Sequence, residues 1–256
     1  MKTIIANNIT SVSASSVNTE FPASMMLDNY PKRQFQALDT VSTVTFQVDI
    51  SAGCTDIVLA GTNAISASIT GYDPNAIEWE TGVEWETGVE WVNPEVDVAG
   101  STLQRSSSGA MFIDLSTLVD IAFTADIVVD APVGETLYVG ILRAGIAENY
   151  GGSNPQYGYQ EGKVDYSIDA ETSNGSSYYK KRDIVRAFTL TAILKNADAD
   201  AMMDLYENQG KVPTAWKLTS EDSNSVVVFA KFADPPTTTR SFKKYKQISF
   251  ALIEVI

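Results

Sequence analysis

The net charge of this chain is confined to one part of it. Residues 1–142 carry 4 basic and 18 acidic side chains, whereas residues 143–256 carry 14 of each, so the whole net charge of −14 belongs to the first half. A break this sharp implies two domains with different surroundings rather than one uniform surface. The acidic part is expected to face solvent and to repel copies of itself, phosphate and anionic lipid. The balanced part is free to dock against something.

Composition narrows the function classes. A chain of 256 residues with 44% hydrophobic and 20% charged side chains is globular and long enough for one or two cores. Its 16 glycines and many Ser, Thr and Val residues suit a β-rich chain with many turns. The sequence has 0 histidines, which removes the commonest general base and zinc ligand and makes Ser-His-Asp and Cys-His sites impossible. Cys54 is the only cysteine, so an internal disulfide and a thiolate metal cluster are excluded. In Ser51-Ala52-Gly53-Cys54-Thr55-Asp56 it reads as a small residue opening a strand rather than a reactive thiol. Met1-Lys2-Thr3-Ile4-Ile5 resembles the start of a signal peptide, but the apolar run is short and polar residues follow at once. No stretch approaches the roughly 20 apolar residues of a membrane span. The expectation is a protein made in a cytoplasm, needing no metal or other cofactor and contacting neither membrane nor nucleic acid.

Strand patterns dominate the first part. Val44, Phe46, Val48 and Ile50 alternate with polar residues, and Ile57 to Gly61, Ile65 to Ile69, Met111 to Leu115, Ile121 to Val129 and Leu137 to Leu142 follow as short β-rich runs bounded by Gly, Asn and Asp. Such spacing predicts a sandwich over residues 1–147, interrupted by an insertion at 74–110. Ala23 to Asp28 can form one helical turn. Residues 148–162, rich in Gly, Asn, Tyr and Gln, read as an exposed connection. The second domain, 148–256, reads as mostly β. Val164, Tyr166 and Ile168 share one face, Ala187 to Ala192 alternate, and Trp216 to Leu218, Val226 to Phe232 and Ile248 to Val255 add strands. One helix is predicted over about 197–209, capped by Asn196 or Asp198, with Ala199, Met202, Leu205 and Tyr206 on one face and Gly210 as its stop.

The insertion carries a tandem repeat, Glu78-Trp79-Glu80-Thr81-Gly82-Val83 followed by Glu84-Trp85-Glu86-Thr87-Gly88-Val89 and Glu90-Trp91. A period of six on an extended strand keeps Trp79, Trp85 and Trp91 on one face. Such a row can stack on sugar rings while the carboxylates accept hydroxyl bonds, which makes a glycan a candidate ligand. The plainer origin is a duplicated loop segment lengthening a protrusion. Paired carboxylates about 5–9 Å apart could hydrolyse a glycoside, but the charge run reads as a solvated face and no residue is assigned a catalytic role. Two basic clusters lie in the second half: Lys180, Lys181, Arg182 and Arg186, and then Arg240, Lys243, Lys244 and Lys246. Nucleic-acid binding usually rides on a basic domain, and this domain is neutral. The clusters are therefore candidate subunit-docking residues, suited to the acidic domain of a neighbour.

The first domain resembles a discoidin-type, galactose-binding-like jelly roll as found in bacteriophage virion proteins. The residues that carry the resemblance are Phe21-Pro22-Ala23-Ser24-Met25-Met26-Leu27-Asp28-Asn29, then Thr45-Phe46-Gln47-Val48-Asp49 and Cys54 to Ala64. The second domain is similar to C-terminal modules of phage tail, neck and baseplate proteins, through Asp165-Tyr166-Ser167, Arg186 to Leu190, Ala199 to Leu205 and Gly210 to Trp216. The absence of a disulfide pair separates the chain from secreted discoidin domains. The resemblance implies a non-enzymatic structural component of a virion, assembled in the host cytoplasm as a homo-oligomer that links or anchors other virion proteins at the tail, neck or baseplate. The alternative is a carbohydrate-binding module using Trp79, Trp85 and Trp91.

Overall fold

The computed structural model describes residues 1–4, 6–72, 95–96, 103–104, 110–150, 156–171, 177–218, 226–240 and 243–255. In chain order the strands are β1 (Lys2–Ile4), β2 (Ile9–Ala14), β3 (Phe35–Gln36), β4 (Thr43–Ile50), β5 (Cys54–Thr62), β6 (Ser66–Tyr72), β7 (Glu95–Val96), β8 (Leu103–Gln104), β9 (Met111–Val119) and β10 (Phe123–Asp130). They continue as β11 (Tyr138–Gly145), β12 (Ala147–Asn149), β13 (Gln156–Asp165), β14 (Ile168–Glu171), β15 (Ser177–Lys180) and β16 (Ile184–Lys195). After helix α1 (Asn196–Gln209) come β17 (Thr214–Lys217), β18 (Val227–Phe232), β19 (Thr237–Thr239) and β20 (Tyr245–Glu254). The fold is mainly β with one α-helix among the described residues, as the sequence pattern predicts. Four sheets form: β2-β4-β10-β6-β7 with β8 also on β6; β3-β11-β5-β9; β12-β1-β17-β18-β20-β16-β13 with β19 also on β20; and the pair β14-β15.

The chain divides into two compact units. One comprises Thr3–Glu148 with Lys217–Val227, and the other Met1–Lys2, Asn149–Trp216 and Val228–Ile256.

The first unit is a β-sandwich. In β10 every second residue is buried, and β4 buries Val44, Phe46, Val48 and Ile50. Period-two alternation puts one face of the sheet in the core and the other in water. The opposing sheet supplies Ile57, Leu59, Met111, Ile113, Val139 and Leu142 to the same core. Phe35 meets Phe46 edge to face, with ring centroids 5.0 Å apart. The outer face of the first sheet is mainly Ser, Thr and Asp, with Gln47, Val128 and Tyr72 among them. Asp49 accepts bonds from Ser11 Oγ at 2.5 Å and Thr124 Oγ1 at 2.9 Å, and these bonds hold its carboxyl below the usual carboxylate range. The predicted turn is a 3-10 segment, Ala23–Leu27, that buries Ala23 and Met26. Asn29 beyond it accepts a bond from the Arg143 guanidinium. Strand β11 passes so close to Pro31 that a Cβ on Gly140 would lie 2.8 Å from the Pro31 carbonyl oxygen. Within the insertion, β7 and β8 return to the sandwich by pairing with opposite ends of β6.

The second unit is built on the long antiparallel pair β16 and β20, in register from Ala187 opposite Ile253 to Lys195 opposite Tyr245. Phe188, Leu190, Ala192 and Leu194 of β16 and Ile248, Phe250 and Leu252 of β20 are buried. Helix α1 adds Ala199, Met202 and Leu205 to the buried set. Trp216 is fully buried, 5.4 Å from the Phe232 ring and 5.9 Å from Phe250, and Tyr206 meets Phe232 edge to face at 5.3 Å.

Three local expectations are corrected. The cap position of α1 is Lys195 and no side chain caps it. Asn196 instead donates from Nδ2 to the Lys243 carbonyl at 3.3 Å, and its backbone N–H reaches the Lys244 carbonyl at 3.1 Å, so it ties the helix start to a loop. The Gly210 stop stands, with φ +56° and its N–H on the Tyr206 carbonyl at 2.7 Å. Much of the segment read as a connection, 148–162, is strand: β13 pairs with β16 along its whole length, from Gln156 opposite Ile193 to Asp165 opposite Ile184. Val164 and Ile168 do not share a face of one strand. Asp165 Oδ1 accepts the Ser167 N–H at 2.8 Å, an Asx turn that ends β13 and sends the chain into the separate pair β14-β15.

Truncating Trp216 to Ala is expected to cost about 3–5 kcal/mol, because it leaves a cavity against Phe232 and Phe250. Gly140→Ala is expected to cost about 1–3 kcal/mol through backbone displacement at Pro31. Urea unfolding of the two variants checks both values, and a loss below about 0.5 kcal/mol in either contradicts the packing described.

Candidate functional site

The second unit carries a surface that its own core does not absorb. In the β14-β15 hairpin Ile168 pairs with Lys180, Asp169 with Tyr179, Ala170 with Tyr178 and Glu171 with Ser177, and all eight residues are exposed. Tyr178 is 54% and Tyr179 63% exposed, and Tyr166, Ile168 and Ile184 near the base are exposed as well. The base is fixed by the Arg182 N–H on Ser167 Oγ at 3.0 Å and the Tyr166 N–H on the Asp183 carbonyl at 3.4 Å. Ten-residue β13 is the terminal strand of its sheet, so its outer edge pairs with no other described strand.

An open groove of about 550 Å³ lies at this base. Its apolar lining is Val185, Ile253 and Val255; its cations are Lys181, Arg182 and Lys231, with Tyr166 beside them and Asp183 and Glu254 as the carboxylates. Lys231 and Glu254 reach it through the β18-β20 register, which sets Lys231 opposite Ile253 and Ala230 opposite Glu254. Burial pushes the Glu254 carboxyl up, and the Arg186 charge and backbone N–H oppose that shift. Asp165 is held below its ordinary value by its bonds with Ser167, with Lys181 adding attraction.

The structure separates the residues of the two basic clusters. Lys180, Lys181 and Arg182 are exposed at the hairpin base and make no ion pair among the described residues. Arg186 sits lower in β16, where Nε holds Glu161 Oε1 at 2.7 Å and the guanidinium lies 4.9 Å from the Phe188 ring centroid. Lys246 pairs with Asp200 of α1. Arg240, Lys243 and Lys244 are exposed between β19 and β20. Trp79, Trp85 and Trp91 lie outside the described residues. Sequence reasoning missed the hairpin and the contribution of Lys231 and Glu254. The signal for the hairpin is Asn174-Gly175 between two short runs, a strong turn dipeptide.

Among the described residues no group of His, Cys, Asp and Glu could hold a metal ion, and no helix is long and apolar enough to cross a membrane. Cys54 is fully buried at the start of β5, with Sγ 3.4 Å from the Asp56 carbonyl oxygen, and burial pushes its thiol up to about 11.

The sequence matches no protein-family model and no curated protein. Solved structures give distant likenesses to galactose-binding-like β-sandwich domains, each spanning about half of this chain. Reduced XRCC1 bound to the DNA polymerase β catalytic domain is similar at 13% identity and a TM-score of 0.39, over 54% of this chain and 96% of that one. The Streptococcus pneumoniae fucose-binding module SpX-3 gives 11% identity and a TM-score of 0.39, over 56% and 98%. CBM32-1 from a Clostridium perfringens family 31 glycoside hydrolase gives 15% and 0.35, over 54% and 97%.

Cys54 provides a direct check on the sandwich. Its folded thiol titrates near 11 against an ordinary 9.0, so the stability it contributes is complete below pH 9 and is lost as pH rises from 9 towards 11. In native buffer at pH 8 the thiol should resist iodoacetamide and react stoichiometrically once urea unfolds the chain. Rapid native labelling contradicts its burial.

Proposed function

We propose that this protein is a non-enzymatic structural component of a phage virion, a homo-oligomer whose second unit docks it to copies of itself and to other virion proteins. The observation that carries the reading is the β14-β15 hairpin. Two four-residue strands with every residue exposed bury no apolar face of their own. An isolated two-stranded hairpin is marginal in water, and this one presents two tyrosines and an isoleucine. Docking against a partner supplies the missing burial. The outer edge of β13, unpaired among the described strands, offers a second attachment, since a row of backbone donors and acceptors is a template for another strand. The acidic sandwich opposes like-to-like packing and suits a projecting position. The resemblance to tail, neck and baseplate proteins supplies the particle.

A second reading, glycan binding, is favoured by the six-residue spacing of Trp79, Trp85 and Trp91 in the sequence, because sugar rings stack on aromatic faces. Fold alone does not decide between the two.

Sedimentation of the full chain should give a discrete oligomer. The double variant Tyr178→Ser/Tyr179→Ser should shift it to monomer with an unchanged far-UV circular dichroism spectrum, since neither ring is in the core. Purified particles of the parent phage should contain the chain in fixed stoichiometry. A monomeric full chain that is absent from particles rejects the proposal. Glycan-array binding abolished by replacing the three tryptophans with Ala moves the assignment to the second reading.

A further inference from the structure

We infer that the groove at the base of the hairpin is a receptor for the Glu-Trp repeat, residues 78–91, of a second copy of this chain. The inference rests on the assembly reading and names its contact. The groove combines what such a segment needs. Lys181, Arg182 and Lys231 supply positive charge, and Val185, Ile253 and Val255 supply an apolar lining. Lys180 stands next to them at the end of β15, exposed and without an ion pair among the described residues. The charges that oppose an acidic ligand there are Asp183 and Glu254 in the lining and Asp165, which attracts Lys181, so Lys180, Lys181, Arg182 and Lys231 leave an excess of one cation.

The repeat is the complement of this surface. Residues 78–91 carry Glu78, Glu80, Glu84, Glu86 and Glu90, and no Lys or Arg occurs anywhere from 74 to 104. Laid out as a strand on the groove, the segment would alternate Trp79, Trp85 and Trp91 on one face with all five glutamates on the other. One indole on the apolar lining and its flanking carboxylates on the cations fit a groove of about 550 Å³. Trp and Arg are the residues most often found at the energetic centre of an interface, and Arg or Lys over an indole adds cation–π attraction.

The occupant is argued from charge. The first 142 residues hold the entire net charge of −14, so two such regions repel each other. Contact of that acidic region with the groove of a neighbour is the attractive arrangement. It is also heterologous: one patch meets a different patch, and repetition around an axis closes into a ring. The same duplication that lengthened the repeat would offer the groove two equivalent registers.

The test uses a fluorescein-labelled synthetic peptide of residues 76–92 and full-length protein, read by anisotropy. Saturable binding is expected, weakened at least tenfold by Lys181→Glu/Arg182→Glu, weakened by raising NaCl from about 0.1 M to 0.5 M, and lost when the peptide tryptophans are replaced with Ala. The control Lys211→Glu, an exposed residue outside both the groove and the two basic clusters, should leave binding unchanged. The far-UV circular dichroism spectrum of the groove variant should match the parent, because both side chains are exposed. A second protein, with residues 78–91 deleted, separates the alternatives. Peptide bound by the deleted protein alone, with the full chain monomeric, means that the segment serves its own chain and overturns the inference. Absence of peptide binding to either protein overturns it too. If the full chain still forms oligomers in that case, assembly stands and only this contact fails.

Discussion

Water on one face and oil on the other is the constraint that organises the solvent-facing sheets of this protein, while β5 and β11 are buried on both faces. In the sandwich it is met internally: β4 and β10 bury alternate residues against the facing sheet and leave Ser, Thr and Asp outside. The outer carboxylates are acceptors within the same sheet, Asp49 for Ser11 and Thr124, and Asp130 for Thr43 and Ser66. Asp49 and Asp130 thus place part of the acidic character of this half on a solvated sheet surface. In the second unit the same constraint is met on the face carrying Trp216, Phe232 and Phe250 and is not met at the hairpin. That difference is the physical basis of the docking argument.

The strands with one buried face were legible in the sequence because period-two alternation is a local signal. The residues of α1 were legible for the same reason at a period of 3.6: Ala199, Met202 and Leu205 recur on one side, and Gly210 ends the run. Strand β13 was hidden. Gln156-Tyr157-Gly158-Tyr159-Gln160-Glu161-Gly162 has a loop's composition, and its structure comes from the full-length backbone ladder to β16. The hairpin was hidden because a strand exposed on both faces has no hydrophobic period to read.

The candidate site was half legible for a related reason. Lys180, Lys181 and Arg182 are adjacent in sequence and remain adjacent in space. Arg186 joined them by spacing, but as part of β16 it is committed to Glu161 and the Phe188 ring. Lys231 and Glu254 come from strands far along the chain. Only the β18-β20 register brings them to the groove, and no local pattern encodes that register.

Hydrogen exchange, compared between the assembled oligomer and the diluted free chain, tests the docking claim most directly. Amides of a free hairpin and a free strand edge exchange rapidly, and those held against a partner do not. The account predicts protection on assembly at residues 156–171 and 177–182, with the buried strands β4 and β10 unchanged. Equal exchange at the hairpin in both states, or new protection confined to the sandwich, contradicts it.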